Sequence, residues 1–521
     1  MLSYAVVIGS LALTTSAFHA RPGRSRAAAT PVSRPGPSTS TSTEPSTTTT
    51  PLGPGQARWV IDENNRPGTA DWHLTGTARA EGIEGFADRT SARRGERVGL
   101  HVSTTGLTFR VEAYRMGFYQ GLGARLVWAT EAMAGTKQPR PYRDATTNLV
   151  ETRWPETLRV DIDASWPPGA YLLKLVSDNG AQQYIPLTVR DDSSRAALVV
   201  QHAVTTWQAY NDWGGYNLYE GKNGRVRDFA HRARVVSFDR PFARGDGAAD
   251  FLGLELPLVA MVESLGLDVT YWTDVDLHAR PELLLRHRAL LTLGHDEYWS
   301  LAMRDGAETA RDAGVNLAFL GANAVFRQIR LESSPLGPHR REVAYKSATA
   351  DPLRRRSPDE VTVDWRAAPV SRPESSLIGQ QYECNPVHAD MVIADGAAWV
   401  FAGTGLATGS KLLGTIGEEY DRYNPNDPGP DNVQLLAHSP VRCGGRRSYS
   451  DMTWYSAPSG AGVFATGTNW WITKLVPACG VCPHDPAVIQ ITRNVLEAFA
   501  AGPAGRAHPS VANYDTVRRG V

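Results

Sequence analysis

The chain has 521 residues, 42% hydrophobic and 21% charged, with 54 Lys and Arg balanced by 54 Asp and Glu. That is ordinary globular composition at a length suited to two or three domains, and a formal charge of zero without a basic stripe argues against nucleic acid as a partner. Beyond the N-terminus no run of about 18 apolar residues occurs, so no integral membrane domain is expected.

Residues 4–13 form a short apolar run followed by Thr14, Thr15, Ser16 and Ala17. This reads as a secretory leader over residues 1–17, although no positive charge precedes it. Between Pro31 and Pro54, 18 of 24 residues are Ser, Thr or Pro. Such a tract buries too little apolar area to offset its ordering entropy, so residues 18–56 are expected to be a disordered linker. Leader and linker together predict an exported protein, secreted or held at the cell surface.

Residues 57–190 carry short alternating segments: 97–102, 109–114 and 170–176. Turn residues separate them, as at Arg94-Gly-Glu96 and Pro167-Pro-Gly169. A period of two with such punctuation predicts an antiparallel β-sandwich. Asp191-Asp-Ser-Ser-Arg195 is the expected boundary.

From there the pattern changes. Residues 196–200, 288–293 and 315–320 are continuous apolar runs, which predict strands of a parallel sheet covered on both faces. Helical spacing covers 249–265 and 299–313. The α/β domain is taken to span 191–505, with short strands elaborating it over 361–471 and a 506–521 tail. Asp485 should cap a final helix to Ala501, with Pro486 in its first turn. Two polar clusters follow strands: Gly294-His-Asp-Glu-Tyr-Trp299 and Gly321-Ala-Asn-Ala324. Ligands of open α/β sheets bind beyond the carboxyl ends of strands, so these clusters are the first candidates for chemistry. Taken alone, an acidic pair after a strand is equally an N-cap for the next helix.

The sequence contains no Gly-x-Ser-x-Gly, Walker or His-Glu-x-x-His motif. Its four cysteines are Cys384, Cys443, Cys479 and Cys482. In an exported chain an even count points to disulfides, with Cys384–Cys443 and Cys479–Cys482 the favoured pairing; redox exchange at the Cys-x-x-Cys pair and a zinc site are the alternatives. The segment Trp207 to Tyr219 is dense in aromatics, which suits either a core loop or a site.

Several phrases together resemble the N,N-dimethylformamidase large (beta) subunit family. They are Tyr114-Arg-Met-Gly-Phe-Tyr-Gln-Gly-Leu-Gly-Ala-Arg125, Gln208-Ala-Tyr-Asn with Asp212-Trp-Gly-Gly, Ser237-Phe-Asp-Arg-Pro241, and the two polar clusters above. Gly417-Glu-Glu-Tyr-Asp-Arg422 and Gly462-Val-Phe-Ala-Thr-Gly-Thr-Asn-Trp470 extend the likeness to roughly residues 60–500. The resemblance implies a β-sandwich followed by an α/β domain like that of class I glutamine amidotransferases. It also implies a mononuclear Fe(III) held by two tyrosinates and a glutamate. By position Glu297 is similar to the glutamate ligand, and Tyr210 with Tyr219 to the tyrosines, Tyr216 competing for the second place. His295, Asn323 and Glu419 match further active-site groups.

The implied chemistry is consistent in itself. Phenolate and carboxylate oxygens are hard donors suited to a hard, highly charged cation, and such a cation polarises an amide carbonyl and acidifies water. Two functions are therefore in view. One is a metal-dependent hydrolase of a carbon–nitrogen (amide) bond acting on a small amide. The other is a non-catalytic surface module whose sandwich and aromatic loops bind a polymer. Homo-oligomerisation is open in both.

Overall fold

The computed structural model describes residues 51–75, 82–223, 226–475 and 484–519. The expected leader, most of the expected linker, Cys479 and Cys482 lie outside the described residues. The fold is mixed α/β and rich in strands. From Leu52 onward it forms one compact unit, and the 18–56 linker expectation ends early: Gln56 bridges to Leu267, and Ala57 N–H donates to Gly266 O at 2.9 Å.

Two sheets dominate the first part, antiparallel except where Ser91–Arg93 pairs parallel with Gln182–Arg190 at one edge. Ile83–Ala87, Arg97–Thr104 and Leu158–Asp161 form a three-stranded sheet. Gly169–Ser177 lies at the centre of a larger one, between Thr108–Met116 and Gln182–Arg190. All nine residues of Gly169–Ser177 are buried, so the strand has no solvent face. Its alternate side chains enter different cores. Tyr171, Leu173 and Leu175 pack with Val98, Leu100 and Val102 of the three-stranded sheet, whereas Ala170 and Leu172 pack with Leu198, Leu258 and Tyr271 of the second part. The larger sheet is thus a middle layer. Lys174 tolerates this burial because its ammonium donates to the carbonyls of Asp71 and His73 at 2.7 and 2.8 Å.

The second part is built on a seven-stranded sheet in the order Val269–Thr273, Leu198–His202, Ala289–Gly294, Asn316–Gly321, Gly462–Ala465, Arg446–Ser456, Gln434–Cys443. The first five strands are parallel and the last two antiparallel. Three of the parallel strands are the continuous apolar runs, each wholly buried. The expected 249–265 helix is broken in two, Phe251–Leu254 and Leu256–Ser264, because Pro257 supplies no amide donor and opens a new helix. The helix expected over 299–313 is Leu301–Asp312; Trp299 belongs to a short strand, Tyr298–Ser300. Pro486–Ala501 is helical, with Asp485 Oδ1 accepting from the Ala487 and Val488 amides at 2.8 and 3.4 Å. Cys384 and Cys443 form a disulfide that ties Gln381–Cys384 to Gln434–Cys443. Among the described residues no helix is long and apolar enough to cross a membrane.

Candidate active site

The parallel strand Ala289–Gly294 ends on a residue that must be glycine. Gly294 has φ +49°, and a Cβ there would stand 2.7 Å from both the Cβ and the carbonyl oxygen of Leu254. The chain turns off the sheet and carries His295-Asp-Glu297 over its carboxyl edge. The Glu297 backbone is held on both sides: its N–H donates to Thr206 Oγ1 at 2.9 Å, and its carbonyl accepts from the Phe326 and Arg327 amides at 3.0 and 2.9 Å. Neither acid of this segment caps the following helix, since Ser300 Oγ accepts from the Met303 amide at 3.3 Å and fills that role.

Three oxygens converge here. Tyr210 ends the helix Val204–Tyr210, and Tyr219 lies beyond the turn at Trp213–Gly215. Tyr210 OH donates to Glu297 Oε2 at 2.7 Å, Tyr219 OH lies 2.6 and 2.8 Å from the two carboxylate oxygens, and the phenol oxygens are 2.8 Å apart. The rings stack at 4.5 Å. Tyr216 is directed elsewhere: its hydroxyl donates to Lys222 O at 3.0 Å and accepts from Arg143. On geometry, the second tyrosine of the cluster is Tyr219.

Two further candidates join the cluster. His295 Nε2 lies 3.4 Å from Glu297 Oε2 and 3.2 Å from Glu419 Oε2, contacts that lack hydrogen-bond alignment and leave Nε2 and Glu419 Oε2 without a bonded partner. Glu419 is held by Asn385 Nδ2, which donates to Oε1 at 2.5 Å. Asn323 is not bonded to these side chains: its backbone amide donates to Asp421 Oδ1 at 2.7 Å, and its own Oδ1 is buried and unpartnered. Asn323 adopts a left-handed φ of +56°, a conformation that Asn tolerates better than most residues.

Burial dominates the electrostatics. It pushes the Tyr210 and Tyr219 phenols well above the usual 10, with the Glu297 charge adding to the effect. Burial would raise Glu297 too, but the close approach and charge of His295, with Lys346 and Arg327 behind, hold it at about 2. Burial works against a charged His295, yet Glu419 and Glu297 raise it well above its ordinary value. Asp296 is directed away, accepting from Trp299 Nε1 at 2.8 Å and Gln201 Nε2 at 3.0 Å; burial pushes it up to about 7.

Three neighbours were not singled out from the sequence. Lys346 Nζ sits 3.3 Å above the Tyr219 ring centroid, Arg327 Nε lies 3.5 Å from Glu297 Oε1, and the Arg244 guanidinium is 5.6 Å from the Tyr210 ring. Only Arg327 had a pointer, following closely on the Gly321–Ala324 cluster.

The donor set fits a hard trivalent cation. Among the described residues no group of three or more His, Cys, Asp and Glu side chains is arranged to hold a metal, so an ion here would depend on the two phenols. Two phenolates and one carboxylate would balance a 3+ charge. A cation is also what would keep these buried phenols deprotonated.

Residues 110–482 match the family described as N,N-dimethylformamidase beta subunit-like, C-terminal. The chain is 25% identical over 337 residues to the N,N-dimethylformamidase beta subunit of Paracoccus aminophilus, and 25% identical over 326 residues to that of Alcaligenes sp. Each match covers 55% of this chain and 42% of the relative, so under half of either relative is spanned. The matched region contains every residue of the cluster from Tyr210 to Glu419. This chain belongs to the N,N-dimethylformamidase beta subunit-like family.

Proposed function

We propose that this protein hydrolyses the carbon–nitrogen bond of an amide, with Tyr210, Tyr219 and Glu297 holding a ferric ion. The observation that carries this reading is the mutual contact of two phenol oxygens and one carboxylate at 2.6–2.8 Å at the carboxyl edge of a parallel sheet. The relatives' name supports the reaction class, and their being beta subunits supports assembly with further chains. On the same reading the two sheets of the first part are a β-sandwich, and the second part is an α/β domain of the class I glutamine amidotransferase kind. When bound, the ion would supply Lewis-acid polarisation of the carbonyl and more acidic water.

The chain's own residues would handle the protons. Hydrolysis adds hydroxide to the carbonyl carbon and a proton to the departing nitrogen. His295, held cationic between Glu419 and Glu297, carries that proton at Nε2. Glu419 Oε2, within 3.2 Å of the imidazole and free of a hydrogen bond, is the acceptor for the proton lost by water. Asn385 keeps this carboxylate oriented by occupying its other oxygen. Tyr210 stacks on Tyr219 and Glu297 is 1% exposed, so bulk water has little access to this carboxylate.

The test is metal analysis with absorption spectroscopy. Protein expressed with ample iron should be coloured by a phenolate charge-transfer band that chelation bleaches. Tyr219→Phe and Glu297→Gln should lower iron content and amide hydrolysis together, and Tyr219→Phe should change stability by only about 1 kcal/mol, the worth of one hydrogen bond. A colourless, metal-free wild type after iron-replete expression refutes the site.

A further inference from the structure

A groove of about 810 Å³ opens where Ile83–Ala87, the start of Gln182–Arg190 and the bend Trp213–Gly215 meet the segment 137–141. Trp154 belongs to its wall and to that of an adjoining hollow of about 760 Å³, which Tyr142 also lines. Small-molecule sites usually measure roughly 300–1,000 Å³, so two such hollows sharing a wall suit a chain molecule better than a single small one. None of Tyr210, Tyr219 and Glu297 lines either hollow.

The walls of the larger groove are held in place. Half-buried Trp213 donates through Nε1 to Glu84 Oε2 at 2.8 Å, and its ring meets Trp154 edge-on at 5.8 Å. Trp154 Nε1 donates to Pro139 O at 2.9 Å, and the Gln138 amide donates to Ser103 Oγ at 3.1 Å. The Lys222 stem lies against the bend, its Cε 2.6 Å from where a Cβ on Gly215 would stand. The charges of the groove are uneven. Arg227 is paired with Asp212 at 2.9 Å and Glu220 at 3.3 Å. Lys137, Arg140 and Lys222 are exposed, and among the described residues their side chains have no carboxylate, ring or hydrogen-bonding partner. Exposed Asp246, on the same groove, has none either.

We propose that this groove binds an acidic saccharide chain, its uronate carboxylates meeting Lys137, Arg140 and Lys222, a sugar ring lying on Trp213 and hydroxyls donating to Asp246. Each feature of that ligand follows from the wall. Three unpaired cations against one unpaired carboxylate favour an anion, through charge-assisted hydrogen bonds. The negative face of an indole attracts the weakly positive C–H groups of a pyranose ring. An unpaired carboxylate beside the cations selects a ligand that also carries O–H donors, which a phosphodiester backbone lacks. Trp213, pinned by Glu84 and Trp154, needs little ordering when a ring settles on it. The site is separate from the tyrosine–glutamate cluster, and its occupancy depends neither on metal nor on the amide reading.

The experiment is calorimetric titration of the full chain with tetramers of α-linked galacturonate and of β-linked mannuronate, each beside its methyl ester, and with poly-glutamate. At least one tetramer should bind saturably with a Kd at or below about 1 mM. Its methyl ester keeps rings and hydroxyls but loses the charge, and should bind at least about tenfold more weakly. Raising sodium chloride from about 0.02 to about 0.5 M should weaken the tetramer by a similar factor, because salt screens exposed charges. Lys137→Gln with Lys222→Gln should raise Kd about threefold or more and leave the melting temperature unchanged, since neither side chain has a partner to lose. Trp213→Ala should weaken binding too, but the two lysine changes decide even if that variant fails to fold. No saturable binding of either tetramer, equal affinity for the ester, equally tight poly-glutamate, or an unchanged Kd in the double glutamine variant overturns the proposal.

Discussion

Arg115 and Glu263 join the middle sheet to the helix Leu256–Ser264, and both side chains are fully buried. The guanidinium donates to the two carboxylate oxygens at 2.9 and 2.5 Å, to Pro168 O through Nε and NH2, and to Tyr119 OH. Glu263 also accepts from Asn64 Nδ2 at 2.9 Å and Tyr271 OH at 2.7 Å. Arg115→Met keeps an unbranched apolar stem and deletes the charge. Glu263 then retains two neutral donors and loses its counter-ion, a change worth roughly 3–5 kcal/mol. For a cooperative unit of about 470 residues the unfolding entropy is about 1 kcal/mol per kelvin, so the melting temperature should fall by about 3–5 °C. Adding Glu263→Gln removes the stranded charge. The double variant should therefore melt above the additive sum of the two single changes, by about 1–3 °C on the usual coupling between contacting residues. Calorimetry of the four proteins at one pH and salt concentration decides. Strict additivity, or an Arg115→Met protein melting within about 1 °C of wild type, refutes the claim that this pair's charges depend on each other.

Two other expectations are open to direct measurement. The Cys384–Cys443 bridge spans 59 positions, a loop for which the chain-entropy model gives about 4 kcal/mol, so the double serine variant should melt several degrees lower; an unchanged melting temperature would contradict it. Burial, with the His339 ring 4.6 Å away, pushes His278 down to about 4. Because this depressed value favours the neutral ring in the fold, its contribution is fully present above the unfolded value near 6.5 and is lost as pH falls toward 4, up to about 3 kcal/mol. His278→Asn, which can still meet Ser300 Oγ where His278 now sits at 2.7 Å, should flatten the melting profile between pH 6.5 and 4; an unaltered profile would rule out His278 as its source.

Much of the architecture was readable from local pattern. The apolar runs that became Leu198–His202, Ala289–Gly294 and Asn316–Gly321 carry no polar alternation, and only a strand covered on both faces satisfies such a run. Asp485 with Pro486 announced the last helix, since an acceptor side chain and a donor-free residue are what a helix start requires. The His295–Glu297 cluster stood out because it follows a strand end. Pattern could not tell that Gly169–Ser177 faces two cores, because a period of two describes which side chains share a face and not what each face meets. It could not choose between Tyr216 and Tyr219, a choice made by the bend at Trp213–Gly215, where Gly214 has φ +76°. Nor could it bring Glu419 to His295 or Lys346 to the Tyr219 ring. Those contacts join residues far apart in the chain. Sheet register and crossover paths, and not neighbouring residue types, determine which loop ends meet at the carboxyl edge.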